Sequence, residues 1–348
     1  MIEKKPRVFL VGASNRPDSM EAHVIETLQF MGCELSVIDI RTLLPGLSYA
    51  DRVLRKVAEV SLRQPERLFE ARLLRQAAGF NPDLVLVLAS KMLSPWTVDK
   101  LKQRLGVPVV CWFQDSIAML ARQYMIGAAY DAVFVKDRYL VELLTRMLNS
   151  TKVHYLPEAC NPRVHRPLAP TPAERERYAC DIMLAGTLYY YRQEILRHLD
   201  TFDLKLWGNW TGMEWFKLKL NHRPMGREVL GDEKAKAVAA SRLVLNPLHY
   251  AEINSLNCRA FEMAACGACQ LISDKPVLAE HFEPGIELVK FDSATDLVDK
   301  VRYYLDRPEE ADRIRTAASA RAHSDHTYEK RLSEIFRISL GDPAPAAV

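Results

Sequence analysis

The most informative stretch of this 348-residue chain is Asn254-Ser255-Leu256-Asn257-Cys258-Arg259-Ala260-Phe261-Glu262, closed by Gly267. Asn257 is a residue type that caps a helix start and Gly267 one that ends it, so a short helix is expected between them. Phe261, Ala264 and Ala265 share its packed face, and small alanines let a helix approach a sheet closely. The free amides of the first turn, with Arg259 among them, make a pocket for negative charge of the kind a diphosphate fills. Glu262 follows Arg259 by just under one turn, so both project on one side, and its carboxylate can accept hydrogen bonds from a ribose diol. The plain alternative is an Arg259–Glu262 ion pair on a solvated face, worth ~0.2–0.5 kcal/mol.

A second candidate carboxylate is Asp115, which follows the apolar run Val109–Phe113 at the carboxyl end of an expected buried strand. Open α/β sheets place ligands there, and a carboxylate so placed can take a proton from a hydroxyl. Its alternative role is to cap a helix beginning near Ile117. Gly12, Ser14 and Asn15 form the first loop; the segment lacks the further glycines of a dinucleotide fingerprint. His23 is expected as an exposed helical histidine. Seven cysteines are scattered, and the Cys266-x-x-Cys269 pair lacks the further ligands that zinc requires, so packing is its expected role.

These residues need elements to hold them. Apolar runs at Arg7–Ala13, Glu34–Ile40, Leu84–Ala89, Val107–Phe113, Ala132–Lys136 and Val153–Leu156 alternate with helical stretches. The scheme restarts at Asp181–Gly186 and continues through Leu204–Trp207, Leu243–Asn246, Gln270–Ser273 and Glu287–Phe291. Such alternation predicts parallel sheets covered on both faces. With about 150 residues per domain, two domains are expected: 1–160, then a proline-rich linker at 161–178, then 179–325. A closing helix over 326–340 is expected to pack back toward the first domain, followed by a disordered tail at 341–348. A net charge of +3 does not call for a nucleic-acid partner. The basic amphipathic stretch Asp51–Gln76 is read as a solvated helix, with peripheral membrane contact the lesser alternative. With no apolar leader and no membrane-length apolar run, a cytoplasmic location is expected.

The helix segment is similar to the C-terminal half of the CgeB-like (spore maturation protein) branch of the group 1 glycosyltransferases. The resemblance continues through Leu271–Asp274, Phe282–Glu287, Asp296-Leu297, Tyr303–Leu305 and His326–Arg331. Upstream it takes in Asp181–Thr187 with Arg192, Leu206–Gly208 with Trp210, and Val244–Asn246. It covers roughly 180–331 and thins in the first half to Trp112–Asp115 and Leu156–Ala159. It implies a GT-B fold, in which two Rossmann-like, doubly wound parallel-sheet domains face a central cleft. The implied activity is sugar transfer from a nucleotide sugar, UDP-linked or another nucleoside diphosphate, to an unidentified acceptor.

By the same resemblance Glu262 matches a ribose-binding glutamate, and Gly186 and Thr187 the loop near the diphosphate, with Arg192 adding charge. Trp207 and Gly208 fall where the base would sit, Trp207 being either a stacking surface or a core aromatic. Asn246, Ser255 and Asn257 are counted with this site. Group 1 enzymes often carry a glutamate where this chain has Asn254, which can hydrogen-bond a donor sugar but brings no negative charge. Asn254 and Asp115 are therefore the catalytic candidates, with retaining or inverting chemistry left open, and Gly12, Ser14 and Asn15 are assigned to the acceptor side. No Asp-x-Asp pair stands at a strand end, so neither metal nor cofactor is expected beyond the nucleotide-sugar co-substrate. The alternatives are a non-catalytic nucleotide-sugar-binding protein and a nucleotide-sugar epimerase of similar fold.

Overall fold

A computed structural model describes residues 5–12, 17–39, 67–88, 93–115, 124–208 and 225–341. The chain divides into two compact units, one of Met1–Pro157 with Glu329–Val348, the other of Glu158–Tyr328.

The first unit is built on β1 (Arg7–Gly12), α1 (Met20–Phe30), β2 (Glu34–Asp39), α2 (Arg67–Phe80), β3 (Leu84–Val87), α3 (Pro95–Leu105), β4 (Val109–Phe113), α4 (Tyr124–Gly127), β5 (Ala132–Val135), α5 (Arg138–Leu148) and β6 (Val153–Tyr155). Its six strands run in the order β2-β1-β3-β4-β5-β6, and every pair is parallel. A parallel strand covered on both faces reads as a continuous apolar run, and Val8 through Val11 and Leu84 through Val87 are accordingly all buried. Phe9, Val85, Val109 and Cys111 meet in one core cluster with Leu73 and Ala77 of α2. The described part of the basic stretch thus packs inward, and Arg72 and Gln76 bond the backbone of Asp39 and Val37. The rest of that stretch, and the tail beyond residue 341, lie outside the described residues.

The second unit contains α6 (Pro172–Tyr178), β7 (Cys180–Ala185), α7 (Tyr190–Leu196), β8 (Leu204–Trp207), α8 (Gly231–Ala240), β9 (Ser241–Asn246), α9 (Cys258–Ala265), β10 (Gln270–Ser273), α10 (Leu278–His281), β11 (Val289–Phe291), α11 (Ala294–Leu305) and α12 (Pro308–Asp325). The last helix, α13 (Tyr328–Leu340), falls almost wholly in the first unit. The order β11-β10-β9-β7-β8 is again all parallel. Ile182, Leu184, Leu243 and Leu245 face one core cluster, while Met183, Ala185 and Val244 face the other. The second cluster is rich in alanine from α8, which brings α8 and α9 close to the sheet. Cys269 belongs to the first cluster and Cys266 to the second, so both thiols are packed as small apolar groups. Among the described residues no helix is long and apolar enough to cross a membrane.

Candidate functional site

In the five-stranded sheet, β7 has β8 on one side and β9 on the other, so the direction of winding reverses between β7 and β9. The carboxyl ends flanking that reversal are the expected ligand position of an open α/β sheet. The segments that leave those ends are the turn at Gly186-Thr187 and the Pro247–Asn257 loop, which delivers the chain to the start of α9.

Two glycines let backbone pack closely here. Gly208 has φ +153°, and a methyl group built on it would lie 2.0 Å from the Gly186 carbonyl oxygen. Gly186 has φ +124°, and a methyl group there would lie 2.0 Å from Arg259 Nη1 and 3.4 Å from Arg192 Nη1. Two guanidinium groups therefore converge on one glycine turn. Arg192 is buried, donating to the Thr187 carbonyl at 2.8 Å and the Pro247 carbonyl at 3.2 Å, and lies 4.5 Å from the centre of the Tyr189 ring. Burial first, and then the neighbouring Arg259 charge, lower its pKa to about 9. Arg259 is half-buried and makes no ion pair or side-chain hydrogen bond among the described residues. The Arg259–Glu262 ion pair considered from the sequence is not formed.

Helix α9 starts as its sequence requires: Asn257 Oδ1 accepts from the Ala260 amide at 3.2 Å. Asn257 and Asn246 exchange two amide hydrogen bonds of 3.0 Å, Asn246 also donates to Gln270 at 2.9 Å, and Gln270 donates to the Ala260 carbonyl. This buried amide network ties the helix start to the end of β9 and the first residue of β10. Phe261 anchors the opposite side against the rings of His281, Phe282 and His326. A buried aromatic of this kind contributes roughly 1.5–3 kcal/mol. Ser255 donates to buried Glu252, which stiffens the loop before the helix.

Glu262 is buried and forms a 2.9 Å ion pair with Lys234 of α8, whose side chain is equally enclosed. The sequence reading missed Lys234. Its signal is its place on α8, in line with buried Ala237 and Val238 at i+3 and i+4 while Lys236 faces Glu174. A lysine on an apolar helix face needs a buried anion, and Glu262 supplies it. The Cys258 thiol beside this pair is held protonated by burial and by the Glu262 and Glu158 carboxylates.

Trp207 is fully buried, edge-on to Tyr178 with ring centres 5.7 Å apart and covered by the Arg227 guanidinium at 5.1 Å. The ring is thus a core aromatic in this state. Arg227 is held by Glu233, whose carboxyl it lowers to about 2. Thr187 is exposed at the glycine turn. Asn254 accepts from the Val277 amide at 2.9 Å and so fastens the loop after β10.

In the first unit, Asp115 is half-buried just past the end of β4, and Gly12 ends β1. Ser14 and Asn15, the helix start near Ile117, and Trp210 lie outside the described residues. His23 corrects an expectation: it is buried, with Nε2 3.0 Å from Asp18 Oδ1, because Asp18, at φ +59°, turns back over the first turn of α1.

The fold defines a class. Sucrose-phosphate synthase from Thermosynechococcus elongatus is 14% identical with a TM-score of 0.71, over 97% of this chain and all of that one (100%). Anabaena HepE in complex with UDP-glucose is 13% identical with a TM-score of 0.67, over 97% of this chain and 100% of that one. The chain thus has the GT-B fold of two Rossmann-like domains. In sequence, residues 192–337 match a family described as glycosyl transferase-like. The spore protein CgeB of Bacillus subtilis is 22% identical over 289 residues, 78% of this chain and 87% of that protein.

Proposed function

We propose that the protein transfers a sugar from a nucleoside-diphosphate sugar, with the diphosphate bound at the Gly186 turn. The observation that carries this reading is the pair of guanidiniums converging on that turn without a bonded carboxylate, at the sheet's winding reversal and the start of α9. Two like charges held together in a partly desolvated place are unfavourable until an anion joins them. A diphosphate would accept from Arg259, from Arg192 and from the first-turn amides. The Glu262 carboxylate, paired with Lys234 at 2.9 Å, is the proposed acceptor for the ribose hydroxyls, since a carboxylate accepts several hydrogen bonds at once. Asn246, Ser255 and Asn257 would act by fixing the helix start. The complexes of HepE with UDP and UDP-glucose favour UDP as the first nucleotide to try.

In the transfer step the bond from the sugar's anomeric carbon to the diphosphate oxygen breaks, and the electron pair leaves with the diphosphate. A bond from the acceptor oxygen to that carbon forms, and the acceptor proton passes to a base. The arginines and helix amides would stabilise the charge developing on the leaving group. Asp115 is the proposed base for an inverting reaction, and Asn254 the proposed donor-sugar contact. Gly12, Ser14 and Asn15 remain assigned to the acceptor.

A thermal-shift screen of nucleoside diphosphates and their sugars tests the binding, since a ligand of the native state raises Tm. Nucleotide release that depends on an added acceptor marks a transferase, and isomerised donor without acceptor marks an epimerase. Tight binding with neither outcome marks a binding protein. Absence of a shift with every nucleotide refutes the reading.

A further inference from the structure

A cavity of about 720 Å³ opens in the second unit beyond the carboxyl ends of β9, β10 and β11. Its size lies within the ~300–1,000 Å³ range of small-ligand sites. Its walls include Tyr191, Tyr250, Asp274, Lys275, Lys290 and Asp292. None of these is among the residues the proposed diphosphate site uses.

Tyr250 is 70% exposed and Tyr191 38%. Their rings stand 5.8 Å apart at 87°, so the cavity meets the face of one ring and the edge of the other. Rings at right angles cannot sandwich a planar base between them. One face with polar groups around it suits a pyranose, which has a C–H face and a rim of hydroxyls. The charges agree: two lysines balance two aspartates, so the cavity has no bias toward an anion, and both charge types can bond hydroxyls. Asp274 is engaged with Lys290 at 3.0 Å. The Lys275 ammonium, the Asp292 carboxylate and both tyrosine hydroxyls make no side-chain hydrogen bond among the described residues.

The cavity is joined to the arginine pair by a run of rings. Arg192 lies over Tyr189, Tyr189 meets His249 at 4.7 Å, His249 meets Tyr250 at 4.0 Å, and Tyr250 meets Tyr191. Asn254, through the Val277 amide, fastens the Lys275–Val277 wall from the other side. We propose that this cavity is a saccharide subsite, in which a neutral sugar ring stacks on the face of one tyrosine, Tyr250 or Tyr191, against the edge of the other and hydrogen-bonds Asp274, Lys275 and Asp292. The choice of sugar rests in part on the nucleotide-sugar reading. The ring belongs either to the donor or to a separate glycan.

Saturation-transfer NMR on the full chain tests this with UDP, UDP-glucose, UDP-N-acetylglucosamine, and free maltose, cellobiose and N,N′-diacetylchitobiose in the presence of UDP. Sugar protons should be saturated, and Tyr250→Ala should weaken that sugar's binding about three- to tenfold while leaving UDP affinity unchanged. Tyr250 is exposed, so this variant keeps the fold; Asp274→Asn gives a second reading of the same loss. Signal confined to the UDP-sugars and abolished by Arg259→Ala identifies the donor's ring. Signal from a free disaccharide that survives Arg259→Ala identifies a separate glycan. If no sugar proton is saturated, or if Tyr250→Ala and Asp274→Asn leave the signal unchanged, the subsite is refuted whether or not UDP binds. Failure of UDP to bind the unaltered protein, with sugar binding intact, refutes the nucleotide reading instead.

Discussion

Replacing Arg259 with alanine should move stability and binding in opposite directions. Arg192 Nη1 and Arg259 Nη1 both approach the Gly186 position, at 3.4 and 2.0 Å from a methyl group built there. They therefore lie within about 5 Å of each other, where two unit charges repel by about 1 to 3 kcal/mol between effective dielectrics of ~80 and ~20. Arg259 is half-buried, so the lower end applies. Removing it should stabilise the ligand-free protein by about 1 kcal/mol, or about 2–4 °C in Tm for a domain of this size. The same change removes a charge-assisted bond to the diphosphate, worth about 1.5–3 kcal/mol, so UDP affinity should fall about ten- to hundredfold. Differential scanning fluorimetry and titration calorimetry on one preparation read both quantities. A lower Tm without ligand and an unchanged UDP affinity would refute the reasoning, because Arg259 would then be a structural cation.

Lys234→Met should destabilise by about 3–5 kcal/mol, since it removes the cation paired with a buried carboxylate, and urea unfolding checks it. The double variant Lys234→Met/Glu262→Leu should recover most of that stability yet bind UDP weakly; full UDP affinity in it would remove Glu262 from the site. Gly208→Ala should unfold the second unit or abolish UDP binding, because its methyl group meets the Gly186 carbonyl; native-like circular dichroism with normal UDP affinity would contradict this. His249 has its pKa lowered by burial first and by Arg192 second, and its Nδ1 accepts from the Ala251 amide. Below its ordinary value of ~6.5 the unfolded chain takes up the proton first, so stability is present above that pH and falls as pH drops toward the folded value. His249→Gln should flatten the Tm profile between about pH 5 and 7, and an unchanged slope would exclude the histidine.

The fold was legible because parallel strands read as unbroken apolar runs, and Leu84 through Val87 and Val109 through Phe113 stand as such runs between helical stretches. The start of α9 was legible too, since a cap is a local event and Asn257 performs it with the Ala260 amide three residues on. What escaped are partners brought together by packing. Lys234 and Glu262 are 28 residues apart, and the Tyr189–His249–Tyr250 run joins two loops that meet only once β7 and β9 are paired. Buried His23 escaped for a different reason: helical spacing shows which residues share a face, and Asp18 covers that face from outside the helix.

The central claim is most directly tested by a crystal structure of the protein with UDP. The account predicts the diphosphate within hydrogen-bond distance of Arg259 and Arg192 at the Gly186 turn, with the ribose hydroxyls on Glu262. A nucleotide bound away from α9, in contact with neither arginine, would contradict it.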